Sequence, residues 1–339
     1  MRRPLTLSFL ILSVAAGPSA AQWSWNLTTN LPGENIGGIW AASPSQVFAS
    51  GGYRTLDGFN GSSWFSYAQP PGANRYRVWG TSFTDVWSPG QSNLLHFDGT
   101  SWTESFQGGT ELFGVWSNPE AGVFTVGDGT MYHFDGVNWT SVSTGLQTCH
   151  CNRLEDIWGS DANHVWAVGA AGHILRTNGV TATQEVLPVD GSVGFNDIYG
   201  TSAHDVWVVG TGGTVLHYDG SVWTIVPTPV ASNLIGVFAF ARNDVYVTSQ
   251  NGLLMHYDGR HWNLINTGTS RDLFAIYGLQ VGRQRLLYIG AATDPNQSLP
   301  DRGAILTGTF GMTTTPEPTT WILTGTGLVV LALFRRRRA

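Results

Sequence analysis

One pattern recurs seven times along this chain, and it decides what the chain can fold into. The segments IWAASPSQVFAS from Ile39, VWGTSFTDVWSPG from Val78, VWSNPEAGVFTVG from Val115 and IWGSDANHVWAVG from Ile157 align with one another. So do IYGTSAHDVWVVG from Ile198, VFAFARNDVYVTS from Val237 and IYGLQVGRQRLLYIG from Ile276. Successive starts lie 39, 37, 42, 41, 39 and 39 residues apart. Most units continue into a third apolar stretch ending in Asp-Gly or Asn-Gly, such as LLHFDG from Leu94, MYHFDG from Met131 and VLHYDG from Val215. A fourth stretch then opens on Trp64, Trp102, Trp139, Trp223 or Trp262. Four short strands in a unit of about 40 residues make one blade of a β-propeller. The Asp-Gly and Asn-Gly pairs supply the positive φ angles of tight turns between third and fourth strands.

The expected fold is therefore all-β, a seven-bladed β-propeller over residues 22–311. The seventh unit has no fourth strand of its own, whereas Trp23-Ser24-Trp25-Asn26-Leu27 precedes the first unit without a blade. Placing that segment beside the Ala304 strand completes the ring and removes two open sheet edges. The aromatic residue at the second position of each first strand (Trp40, Trp79, Trp116, Trp158, Tyr199, Phe238, Tyr277) is expected to pack between neighbouring blades. Gly at 43 and Trp at 15, with only 12% charged residues, suit many short strands and turns with aromatic packing between sheets.

The two ends read differently. Arg2 and Arg3, the apolar run 5–16 and the small residues Ser19, Ala20 and Ala21 have the order of a secretory signal, with cleavage after Ala21, so residues 1–21 form a leader. At the other end, a linker over 312–318 carries Pro316-Glu317-Pro318. An uncharged segment at 319–334 follows, then a basic tail at 335–339 holding Arg335, Arg336, Arg337 and Arg338. Sixteen residues of helix span about 24 Å, short of a roughly 30 Å hydrocarbon core but workable with bilayer thinning. The four Arg place that end in the cytoplasm and the propeller outside.

The stretch PEPTTWILTGTGLVVLALFRRRR resembles the PEP-CTERM sorting signal of Gram-negative bacteria. That resemblance implies an exosortase as processing partner, transient residence in the inner membrane, removal of the tail near Pro-Glu-Pro and delivery to the cell surface. It also implies an association with exopolysaccharide. The repeat itself resembles a group of bacterial secreted propellers with the pattern IWG…DVWVVG…GTVLHYDG…W, which speaks for the fold and leaves the function to the sites.

Without its ends the chain keeps 11 Arg against 22 acidic residues, a net charge of about −11, which argues against nucleic acid or anionic membrane as a partner. No nucleophile elbow, His-Glu-x-x-His or phosphate-cradling loop is present, so no catalytic residue is assigned. His96, His133, His217 and His256 fall one per blade on third strands, too far apart to converge on one ion, and are expected to hydrogen-bond within or between blades. Neither a metal nor a cofactor is assigned. Cys149-His150-Cys151 leaves several readings open: a local disulfide, free thiols, a metal site needing a further ligand, or intermolecular pairing.

The favoured function is a surface binding module for a glycan or a protein. Alternatives are a matrix component without a ligand and a sialidase-like glycosidase, the last resting on a faint likeness of DGSVW at 219–223 to the Asp-box turn. The loops that vary most between units are those linking blades and those between second and third strands. They nominate Arg54, Asp57, Arg75, Tyr76, Arg77, Glu111, Arg153, Asn196, Asp197, Arg271 and Asp272 as the binding face.

Overall fold

The computed structural model describes residues 22–29, 31, 34–52, 55–70, 74–293 and 303–311. The leader with Ala21, the Pro316-Glu317-Pro318 motif, the sorting segment, Arg335, Arg336, Arg337 and Arg338 lie outside the described residues, as does Arg54. Among the described residues no helix is long and apolar enough to cross a membrane.

Seven antiparallel four-stranded sheets form a β-propeller. In the third blade, for example, the strands are Leu112–Asn118, Gly122–Gly127, Met131–Phe134 and Trp139–Ser141, in that order from the inside outward. The first strands of successive blades pack side by side around the ring, the seventh against the first. The outermost strand of the seventh sheet is Gln22–Thr28, beside Ala304–Gly311. The last blade thus takes its fourth strand from the start of the chain. Ser24 Oγ donates to the Thr309 carbonyl at 3.3 Å. Ser24–Thr309 form one compact unit; of a second, terminal unit only residues 22, 23, 310 and 311 are described, and there Trp23 and Phe310 stand 5.3 Å apart.

Four of the blades carry a fastening built on the histidine of the third strand. In the second blade Asp85 Oδ1 accepts from Trp87 Nε1 at 2.8 Å and pairs with His96 Nε2 at 2.9 Å, while Thr81 donates to the other oxygen. The fifth blade repeats this with Asp205, Trp207, His217 and Thr201. In the sixth, His256 pairs with Asp244 at 2.7 Å. His133 instead meets the Ala121 carbonyl at 2.8 Å. All four histidines stack or tilt against the aromatic ring of the adjacent second strand, at centroid distances of 4.0 to 4.5 Å. The third-strand histidines therefore bond within their own blades.

The turns obey the sequence. Asp98, Asp135, Asp219 and Asp258, with Asn60 and Asn178, each accept from the backbone N–H groups two and three residues on, closing six like turns. Asp219, the residue behind the Asp-box likeness, sits in one of these six. In four of the six turns the glycine lies against the first turn of its own blade, as Gly99 does against Thr84 and Gly259 against Asn243. The loops between second and third strands meet the blade-linking loops instead: Gly129 N–H donates to the Asn152 carbonyl and Gly252 N–H to that of Arg271. The two loop sets thus share the face opposite the Asp-Gly turns.

Candidate functional site at the channel mouth

The first strand of every blade enters the ring from the loop face, so residues at one aligned position form a ring at one depth. Outermost, two residues before the aligned start, stand Gly37, Tyr76, Phe113, Glu155, Asn196, Ile235 and Phe274. One residue deeper come Gly38, Arg77, Gly114, Asp156, Asp197, Gly236 and Ala275. Deepest is the aromatic ring of residues from Trp40 to Tyr277.

That aromatic ring closes the channel, and its packing follows from the residue after it. A Cβ on Gly80 would come within 2.9 Å of Trp40, on Gly159 within 2.9 Å of Trp116, and on Gly200 within 2.6 Å of Trp158. Gly278 lies against Phe238 in the same manner. Each of these four aromatics rests on the glycine of the next blade and is buried. The blades following Trp79, Tyr199 and Tyr277 carry Ser117, Ala239 and Ala41 at that position. These three aromatics are only half-buried and turn inward. Trp79 stands 6.3 Å from both Tyr199 and Tyr277, which belong to the fifth and seventh blades, so the rings meet across the axis. All seven touch a neighbouring blade, Tyr199 lying 4.5 Å from Phe238, Tyr277 6.3 Å from Trp40 and Trp79 Nε1 donating to the Ser117 carbonyl at 3.1 Å, but these three also reach across the axis. A glycine supplies the room for an aromatic to lie flat, and a Cβ denies it. Burial pushes the Tyr277 hydroxyl up to about 12 and raises that of Tyr199 further.

Above the aromatic plug lies a neck with about 50 Å³ of free space, and Arg77 crosses it. Its Nη2 is 3.2 Å from Asp197 Oδ1 and its Nε 3.9 Å from Asp156 Oδ1, joining the second blade to the fourth and fifth. Arg77 Nη2 also donates to the Asn196 carbonyl at 2.8 Å. Each carboxylate fastens the next blade as well: Asp156 accepts from Ile198 N–H at 3.5 Å and Asp197 from Val237 N–H at 2.6 Å. One guanidinium faces two carboxylates, so burial, opposed by Arg77 and reinforced by Asp197, raises Asp156 well above the usual carboxylate range.

The mouth above the neck is a depression of about 300 Å³ bordered by Gly37, Tyr76, Phe113, Arg153, Glu155, Ile235 and Phe274, with Arg77 as its floor. Phe113 is its buried anchor, with Tyr76 at 4.9 Å on one side and the Arg153 guanidinium 4.9 Å from the ring on another. Arg153 is paired with Glu155. Tyr76 donates to Glu111 Oε1 at 3.2 Å; burial foremost, then the Glu111 charge, pushes its hydroxyl up to about 12. Cys149 and Cys151 are joined by a disulfide, so neither sulfur is a free thiol or a ligand.

Of the nominated residues, Tyr76, Arg77 and Arg153 border the mouth, Glu111 joins it through Tyr76, and Asp197 lies in the neck. Others are corrected. Asp57 is not on a loop but on the third strand Thr55–Phe59, buried and bonded to Ser66 Oγ at 2.7 Å. Arg75 is buried, its Nη2 donating to Asn93 Oδ1 at 2.7 Å. Arg271 is buried and donates to the Ala292 carbonyl at 2.8 Å. Asp272 accepts from Asn251 N–H, and Asn196 ties its blade to the next through Asn233 and the Leu234 carbonyl. All five are taken up by partners within the fold, Arg75, Arg271 and Asn196 as donors and Asp57 and Asp272 as acceptors. Phe113, Ile235, Phe274 and Glu155 were not nominated. Their signal was available, since they share one aligned position of the repeat.

A larger cleft of about 680 Å³ lies between the closing strand and the first blade. Trp25, Phe59, Trp64 and Tyr288 line it with serine and threonine hydroxyls, and no charged side chain takes part.

The fold and site define the class: a seven-bladed propeller with a channel blocked by aromatics and open at the loop face. No protein-family model matches the chain, and no curated protein sequence matches it. Solved structures do. YCF48 bound to D1 peptide is 14% identical with a TM-score of 0.62, covering 84% of this chain and 96% of that one. The WD40 β-propeller domain of Doa1 is 9% identical with a TM-score of 0.68, covering 87% and 98%. The extracellular domain of a putative one-component system from B. thetaiotaomicron is 16% identical with a TM-score of 0.64, and 84% of this chain matches 40% of it. At these identities the likeness establishes the fold.

Proposed function

We propose that the protein is an exported cell-surface binding module whose loop-face mouth receives a segment of another protein. The observation that carries this reading is the contrast between rings of one repeat. The deep aromatic position recurs in every blade, whereas the outermost position differs in every blade but two and gathers Tyr76, Phe113, Ile235 and Phe274 around one depression. Aromatic and aliphatic rims around a fixed ion pair suit an apolar side chain flanked by peptide groups. A propeller of the same fold has been solved with a peptide bound, which supports a peptide-like ligand. Export is supported by the leader ending at Ala21, and surface delivery through an exosortase by the PEPTTWIL…RRRR tail.

A second reading rests on a different observation. The cleft lined by Trp25, Phe59, Trp64 and Tyr288 combines aromatic faces with hydroxyls and lacks charge, the chemistry that holds a neutral glycan of an extracellular polysaccharide. One experiment separates the two. The full chain is titrated with protein and polysaccharide fractions of the host's extracellular material, using Phe274→Ala for the mouth and Trp64→Ala for the cleft. Loss of binding to the protein fraction with Phe274→Ala alone supports the mouth. Binding of polysaccharide lost only in Trp64→Ala transfers the function to the cleft.

A further inference from the structure

We infer that the loop face carries a divalent-cation site beside the mouth, built from Glu111, Asp128 and His150. The three residues come from three separate segments: Glu111 before the first strand of the third blade, Asp128 after its second strand, and His150 in the turn between Cys149 and Cys151. One ligand atom from each lies within 4.8 Å of the others. His150 Nδ1 is 3.2 Å from Asp128 Oδ1. That carboxylate oxygen is fully buried yet accepts no well-directed hydrogen bond, a costly state for a charged group unless a cation faces it.

The surroundings hold these groups in place. Gly127 and Gly129 flank Asp128, and a side chain at either would strike the backbone, at Glu111 and Gln147 respectively, so glycine lets the three segments close on one another. The His150 turn is anchored by Gly129 N–H to the Asn152 carbonyl at 3.0 Å and by Asn152 Nδ2 to the Gln147 carbonyl at 2.9 Å. The disulfide brackets His150 on both sides. Among the neighbouring charges Arg153 is paired with Glu155, and its Nη1 lies 3.4 Å from His150 Nε2, while His150 Nδ1 faces Asp128 and the Tyr76 hydroxyl faces Glu111.

One imidazole and two carboxylates are a donor set for Zn²⁺ or Mn²⁺ rather than for a thiolate-seeking ion. The sulfurs of Cys149 and Cys151 are committed to each other, so the site uses the histidine of the Cys-His-Cys segment and not its cysteines. Three protein ligands leave a coordination position open to water or to a ligand oxygen.

The test is calorimetric titration of the full chain with Zn²⁺, and separately with Mn²⁺, against His150→Gln and Asp128→Asn. His150 is largely exposed, so His150→Gln should fold normally even if Asp128→Asn does not. One saturable site in the native protein, reversed by EDTA and weakened on the order of 100-fold in His150→Gln, is the expected result. No saturable site with either ion, or equal affinity in His150→Gln, overturns the inference.

Discussion

Trp79 of the second blade meets Tyr277 of the seventh at 6.3 Å with the rings nearly perpendicular, at 87°. This contact exists because neither aromatic finds a glycine on the following blade to lie against. Together with the contact between Trp79 and Tyr199 it blocks the propeller channel at this depth.

The glycine rule predicts a specific defect. Gly200→Ala places a Cβ against Trp158 and the Asp205 carbonyl, and overpacking of this kind costs about 1 to 3 kcal/mol. Denaturant unfolding of the variant should show that loss. The reciprocal Ser117→Gly should be tolerated and draw Trp79 toward the third blade, lowering its indole exposure to a fluorescence quencher.

Arg77 is a structural cation at the floor of the mouth. Arg77→Ala leaves Asp156 and Asp197 facing each other in a buried neck, and breaking a buried pair typically costs about 3 to 5 kcal/mol. A drop in melting temperature is therefore expected, and a melting temperature equal to that of the native protein would show that the pair is dispensable. Mouth binding is better probed at Tyr76 or Phe274.

Acid should weaken the fold in a particular window. Burial raises Asp85 and Asp205, but hydrogen bonds from their histidine, threonine and tryptophan partners outweigh it, and both titrate below the ordinary range. Asp98, Asp135, Asp219 and Asp258 are lowered by hydrogen bonds within their turns. Groups with depressed folded values stabilise above the unfolded value of about 4, and that contribution disappears as the pH falls through the folded values. Asp156 and Glu155 have the opposite sign, both raised chiefly by burial, so protonating them on mild acidification relieves a cost. Thermal unfolding across pH should show stability falling below about pH 4. Asp156→Asn should flatten the gain on mild acidification while leaving the acid limb in place.

Closure by the first strand predicts that deleting residues 22–30 exposes the Ala304–Gly311 edge and removes Trp25 from its packing. The melting temperature should fall by roughly 10 °C or more. An unchanged transition would mean that the seventh blade is stable with three strands.

Six spacings near 40 residues, the Asp-Gly turns and the unattached Trp23–Leu27 segment carried the architecture, because each blade repeats the same local chemistry. The site was legible only in part. Reading loops by residue type selected Arg75 and Arg271, whose guanidiniums are consumed by neighbouring backbone and amide oxygens. Reading one aligned position down all seven units would have found Phe113, Ile235 and Phe274. Which aromatics fill the axis depends on the residue after the aromatic in the next blade, a relation between units that no single unit displays.

Photo-crosslinking from the mouth tests the central claim most directly. A photoreactive side chain is placed at Phe274 on the loop face, or at Val137, which is 79% exposed in an Asp-Gly turn, and the full chain is irradiated with the host's extracellular protein fraction. A discrete adduct from position 274, absent from position 137 and suppressed by Tyr76→Ala, is the predicted result. An adduct from position 137 with none from position 274 would contradict recognition at the channel mouth.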